Sequence, residues 1–321
     1  MNEAMNVPDF SAIEQAAARI AAHAHRTPVL TSSHFNRLTG AQLFFKCENF
    51  QKVGAFKFRG AFNAIAALAP EQGRRGILTH SSGNHGQAVA LAARLNGYPA
   101  VVVMPENAAR IKIAAVRGYG AEVMFCAPDT ASREAAVNEV LDERGLTFIP
   151  PYNHPDIIAG QGTAAKELLE EQPELDLIIA PVGGGGLISG TAIAARHLRP
   201  GIRVIGAEPE NADDAARSFR AGHLEPAADA ATVCDGLRTT LGELTFQVIG
   251  SHVDDIVTVP EASIIRDMRA VWERMKIVIE PSSAVALAAL VDGRVELTGQ
   301  RVGVIVSGGN VDLDRLPWQA P

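Results

Sequence analysis

Pro181-Val182-Gly183-Gly184-Gly185-Gly186-Leu187 stands between the apolar run Leu177-Ile178-Ile179-Ala180 and a helical stretch from Leu187 to Leu198. Strand, glycines and helix make an anion cradle. The bare backbone approaches closely, its N–H groups turn inward, and the helix start adds partial positive charge that suits a phosphate. Four successive glycines cost too much chain entropy for a routine turn. The same order followed by Glu208 after the next strand also describes a dinucleotide-binding unit, although Ile188 or Ser189 falls where the third glycine of G-x-G-x-x-G belongs.

A second loop, Thr79-His80-Ser81-Ser82-Gly83-Asn84-His85-Gly86, lies between the strand-like GILTH and a helix beginning at Gln87-Ala88-Val89. Its hydroxyls, amide and backbone N–H groups can hold a carboxylate or position a hydroxyl for proton transfer. Ser82 is equally the residue type of a helix cap, and His85 that of a satisfied core histidine. The third feature is Lys57 in Gly54-Ala55-Phe56-Lys57-Phe58-Arg59-Gly60. Burial between aromatic rings favours the neutral amine, a nucleophile toward carbonyls, whereas a lone lysine of this kind is more often a snorkelling surface residue. Lysine for an aldehyde, glycines for a phosphate and a serine/asparagine loop for a carboxylate are the three anchors of an amino acid carried on pyridoxal phosphate.

Short apolar runs alternating with alanine-rich helical stretches have to position these groups: QLFFKCE, GILTHSS, AVVVMPE, EVMFCAP, LTFIPP, DLIIAPV, RVIGAEP, DDIVTVP and RVGVIVSGG. That alternation predicts an α/β fold with parallel sheet, its chemistry beyond the carboxyl ends of the strands. Asp9 or Ser11 can cap an opening helix whose apolar residues are Ile13, Ala17 and Ile20, before Thr27-Pro28 breaks the pattern. At 321 residues, 47% hydrophobic and 20% charged, the chain has the balance of a globular protein of one large unit or two lobes. A net charge of −7 without a basic stripe excludes a nucleic-acid footprint. Cys47, Cys126 and Cys234 stand too far apart to read as a zinc site or a disulfide framework. No apolar run reaches membrane-spanning length and no signal peptide is visible, so no membrane partner and a cytoplasmic location are expected.

The strings GAFKFRGA, HSSGNHGQA, IAGQGT, PVGGGGL, AEPENADD, WERMKIVIEPSSA and VSGGNVD, in consistent order from about residue 20 to 313, resemble the fold type II pyridoxal-phosphate-dependent serine/threonine dehydratases, close to serine racemases and 3-hydroxyaspartate dehydratases. The resemblance implies a tryptophan synthase β-like fold of two lobes, each a twisted, mostly parallel sheet flanked by helices. Residues 1–68 and 154–321 would form a large cofactor-binding domain and 76–153 a small one. It implies that Lys57 carries the cofactor aldehyde and then acts as the base at Cα, with Phe56 against one ring face and Gly236 against the other. Asn84 would contact the phenolic oxygen, Gly183, Gly184, Gly185, Gly186 and Leu187 the phosphate, and Ser307 the pyridine nitrogen. A serine there leaves a moderate electron sink, suited to eliminating a β-substituent. Ser82 matches the serine that handles a proton on the other face, and Ser81, Gly83 and His85 those that frame the substrate carboxylate.

The resemblance also implies a Mg²⁺, Mn²⁺ or Ca²⁺ ion on Glu208, Asp214 and the carbonyl of Ala212, against the plainer reading of an acidic loop capping a helix through Asp213. A homodimer without a C-terminal regulatory domain after the SGGN loop is expected. The side-chain pocket falls at Ile149 to His154 and after Asp235-Gly236. Tyr152 lies there, in Pro150-Pro151-Tyr152-Asn153-His154, where many threonine dehydratases read His-Pro-Phe-Asp-Asp. Arg238 and Arg133 could clamp a second carboxylate, which a threonine methyl pocket would not need; otherwise both are surface groups. This favours dehydration of 3-hydroxyaspartate, with serine or threonine dehydration or serine racemisation as the alternative. The rivals of another class are a nicotinamide-dependent oxidoreductase built on Gly183 to Gly186 and Glu208, and a non-catalytic amino-acid-binding module.

Overall fold

The computed structural model describes residues 6–226 and 231–319. Asp9 accepts the N–H of Ala12 at 3.0 Å and starts the first helix, Phe10–Ile20. Its buried stripe is Phe10, Ile13, Ala16 and Ile20; Ala16, a step before Ala17, keeps the face in line with the core.

Ten strands are present among the described residues: β1 (Val29–Thr31), β2 (Gln42–Cys47), β3 (Ile77–His80), β4 (Ala100–Pro105), β5 (Glu122–Cys126), β6 (Thr147–Phe148), β7 (Leu177–Pro181), β8 (Arg203–Pro209), β9 (Asp255–Val259) and β10 (Arg301–Val306). They form a six-stranded sheet in the order β1-β2-β10-β7-β8-β9 and a four-stranded sheet in the order β5-β4-β3-β6. Every pairing is parallel except β1 on β2, where Leu30 faces Phe45. The central strands read as nearly continuous apolar runs because both faces are covered: all of β7 is buried, as is β10 after Arg301. β3 ends at the serine loop, β7 at the glycine loop and β10 at Ser307, which brings three functional segments to carboxyl ends of strands.

The glycine loop and Lys57 are positioned by backbone contact between helices. A Cβ on Gly190, in the helix Gly186–Leu198, would lie 2.4 Å from the carbonyl oxygen of Ile158 in the helix Pro155–Glu171. A Cβ on Gly160 of the latter would lie 2.5 Å from Cα of Gly60, in the helix Lys57–Ala66. Glycines therefore let three helices pack at backbone distance, and the first residues of two of them, Lys57 and Gly186, line one cavity.

A buried charge network anchors the same Lys57–Ala66 helix. Arg59 is fully buried; its Nε reaches Glu48 at 2.7 Å and its Nη1 reaches Glu167 at 2.8 Å. Lys46 adds a 2.6 Å contact to Glu167 and donates to the carbonyl of Thr27 at 2.8 Å.

Candidate active site

A cavity of about 350 Å³ opens where the two sheets present their carboxyl ends. It is lined by Phe56 and Lys57, by Ser81 to His85, by Gly183 to Leu187, and by Arg133, Tyr152, Gly236, Arg238 and Ser307. Lys57 opens its helix, donates from Nζ to the carbonyl of Pro151 at 2.7 Å, and has its ammonium 5.2 Å from the Phe56 ring centre. Burial pulls its pKa down to about 8, partly opposed by the negative charge of Glu280. A lysine in that state keeps an amine ready for a carbonyl or a proton near neutral pH.

Ser82 is exposed into the cavity and does not cap: the residue before the helix Asn84–Leu95 is Gly83, whose N–H goes to Ser81 Oγ at 3.0 Å. His85 is buried, and burial with the nearby Lys57 charge holds it well below its usual pKa. Its Nε2 meets the carbonyl of Ile149 at 3.2 Å, so the neutral ring spends its one N–H there and leaves its backbone N–H to offer a ligand. Asn84 is oriented from both ends: its Nδ2 donates to Glu280 at 2.8 Å and its Oδ1 accepts from Asn310 at 2.9 Å. Ser307, buried, lies 3.0 Å from Ser283 Oγ.

The two central positions of the glycine loop require glycine. Gly185 has φ +85°, and a Cβ there would lie 2.8 Å from Thr245 Cβ; one on Gly184 would fall 2.2 Å from the Tyr152 ring. Thr245 Oγ1 donates to the carbonyl of Gly184 at 2.9 Å and fixes the turn. The first-turn N–H groups of the helix Gly186–Leu198 lack intrahelical carbonyls, so this bare backbone fits a phosphate dianion. An aldehyde beside Lys57, a ring between Phe56 and Gly236 and a phosphate at Gly183 to Leu187 all find matching groups in one cavity.

Glu208 and Asp214 lie apart from this lining, near enough that the Asp214 charge acts on Glu208. Glu208 accepts the N–H of Ala216 at 2.8 Å and that of Ala215 at 3.2 Å, so it caps the helix Asp214–Ala221, a role that Asp213, paired with Arg217 at 2.8 Å, does not take. Burial, reinforced by Asp214, pushes Glu208 well above its usual pKa, and burial brings Asp214 up to about 6. Asp214 Oδ2 is buried with no partner among the described residues. Two carboxylates, one with an oxygen that has no hydrogen-bond partner, are the donor type that a hard divalent cation takes, although no group of three or more His, Cys, Asp or Glu converges among the described residues.

The arginines part company. Arg238 is exposed and gives Nε and Nη2 to the carbonyl of Thr232. Arg133 is half-buried and close enough to His80 that burial and its charge together bring that imidazole down to about 4; its charge also acts on Tyr152. Sequence reasoning missed Glu280, Lys112 and Asp235, which also line the cavity. Glu280 sits before Pro281 in the recognised string, but an acid ahead of a proline at a helix start reads as a cap.

The sequence matches the family described as pyridoxal-phosphate dependent enzyme over residues 20–308. It is 50% identical over 314 residues to a beta-hydroxyaspartate dehydratase of Paracoccus denitrificans, covering 98% of this chain and 100% of that one. It is 48% identical over 312 residues to an L-threo-3-hydroxyaspartate ammonia-lyase of Saccharomyces cerevisiae, covering 97% and 96%. Its fold superposes on maize serine racemase with a TM-score of 0.94 at 46% identity, covering 96% and 95%.

Proposed function

The chain belongs to the pyridoxal-phosphate-dependent enzymes, and from that premise we propose that it dehydrates 3-hydroxyaspartate to iminosuccinate, which hydrolyses to oxaloacetate and ammonia. The observation that carries the substrate is one cavity holding a lysine with a lowered pKa, the serine loop and the Arg133 guanidinium. Bound there, pyridoxal phosphate supplies an aldehyde and an electron sink that lowers the cost of removing a Cα proton. Lys57 holds the cofactor and takes that proton; Gly183 to Leu187 hold the phosphate, Asn84 the phenolic oxygen and Ser307 the ring nitrogen. Ser81 to His85 bind the α-carboxylate. Ser82, which lines the cavity and does not cap the helix, is read as the group that returns a proton, with a racemase side activity as the consequence.

Arg133, half-buried in the cavity lining beside Tyr152, is read as the residue that meets the second carboxylate, whereas Arg238 is exposed. Arg133→Met is expected to lower kcat/KM for 3-hydroxyaspartate about ten- to a hundredfold and that for serine by less than about threefold, the loss of a hydrogen bond to a charged group. Arg238→Met is expected to leave that ratio alone. Equal losses on both substrates in the Arg133→Met enzyme would remove the acidic subsite and leave serine or threonine as the substrate.

Glu208, Asp214 and the Ala212 carbonyl are read as the divalent-cation site. Saturating Mg²⁺ is expected to raise the melting temperature, by about 2.7 kcal/mol of stabilisation at a hundred times Kd, and Asp214→Asn to abolish that shift. A variant that keeps the full shift places the ion elsewhere. Residues 1–68 and 154–321 form the cofactor domain and 76–153 the small one in this reading, within a cytoplasmic homodimer. No helix among the described residues is long and apolar enough to cross a membrane.

A further inference from the structure

In the lining of the cavity Lys112, in the helix Arg110–Gly118 that follows β4, meets Asp235, in the turn Asp235–Leu237 beside Gly236. The two form an ion pair that ties the four-stranded unit to the six-stranded one over 123 residues of sequence. The pair is unequal. The Lys112 side chain is 10% exposed and has little access to water, whereas the Asp235 side chain is 43% exposed and keeps water when released. The ammonium also touches the serine loop: its Nζ lies 3.3 Å from where a Cβ on Gly83 would stand. A cation is therefore held at the Ser82–Gly83 turn, beside first-turn N–H groups that favour the same sign of ligand.

We propose that Lys112 binds the α-carboxylate of the substrate and that Asp235 is its resting counterion, displaced when substrate arrives. This rests on reading the cavity as an amino-acid site. Displacement exchanges a link between the two units for one that runs through the ligand, and it frees the turn next to Gly236. No covalent step is involved; one carboxylate replaces another on the same ammonium.

Steady-state kinetics of the holoenzyme test this, with the β-hydroxy amino acid that the wild type turns over fastest. Lys112→Met is expected to raise KM about ten- to a hundredfold with a smaller change in kcat, as for a lost hydrogen bond between charged groups. Lys112→Gln, which keeps a polar head, serves if the methionine variant folds poorly, and Lys112→Arg is expected to restore most of the affinity. Asp235→Asn is expected to lower KM about two- to fivefold, because the competing charge is gone, and to have no effect in the Lys112→Met background. A structural pair would instead give loss of the same sign from both partners. An unchanged KM in the Lys112 variants, or a raised KM from Asp235→Asn, overturns the proposal while the site reading stands. A wild type that releases no ammonia from any β-hydroxy amino acid overturns the site reading itself.

Discussion

Lys57→Ala is expected to lower turnover by about a thousandfold or more at saturating pyridoxal phosphate, because one amine both holds the cofactor and takes the Cα proton. The structure prepares that amine physically. Burial makes the charged form expensive and lowers its pKa to about 8, and the Pro151 carbonyl accepts its hydrogen bond at 2.7 Å without supplying a countercharge. Lys57→Arg is expected to fail equally, since a guanidinium stays protonated and cannot condense with an aldehyde. The same lowered pKa has a signature apart from turnover. Labelling of Lys57 in the cofactor-free chain by an amine-selective reagent should rise as pH passes through about 8, below the range of ordinary lysines near 10.5. Ammonia release by the variant above a tenth of the wild-type rate, or labelling that tracks surface lysines, would count against the assignment.

Arg59→Ala is expected to cost about 3–5 kcal/mol of stability, the penalty for leaving buried carboxylates unpaired. Glu48 and Glu167 converge on that guanidinium, and Lys46, itself pushed below its usual pKa chiefly by burial, cannot replace it. Burial pushes Glu167 up, but Arg59 and Lys46 more than offset it and hold the carboxyl below 4.5. With the folded pKa depressed, that stabilisation is present above pH 4.5 and is lost as pH falls through the folded value. Urea unfolding near pH 7 and pH 4 measures both effects. The gap between wild type and variant should narrow in acid; a variant within about 1 kcal/mol of wild type at pH 7 would mean that the network is dispensable.

The residues that carry chemistry were legible where composition and order coincide. The glycine loop follows an apolar strand and precedes a helix, and both neighbours are where the pattern put them, with the helix at Gly186–Leu198. Lys57 was legible only through the company of the other two loops, since burial of a lysine leaves no mark on its own sequence. β1 escaped notice because three residues cannot show a period, and its antiparallel pairing with β2 follows from no local signal. Arg59 lies inside the recognised string, yet arginine is normally a surface residue, and its burial depends on Glu167, 108 residues away. The Lys112–Asp235 pair is likewise a product of tertiary packing. The part of the site that joins two sheets was the part the sequence hid.

The most direct test of the account is keto-acid and ammonia release by the holoenzyme offered the 3-hydroxyaspartate stereoisomers, L-serine, D-serine and L-threonine separately at equal concentration. The account predicts that one 3-hydroxyaspartate isomer has the highest kcat/KM and yields oxaloacetate and ammonia in equal amounts. A higher kcat/KM for serine or threonine than for every 3-hydroxyaspartate isomer would contradict it.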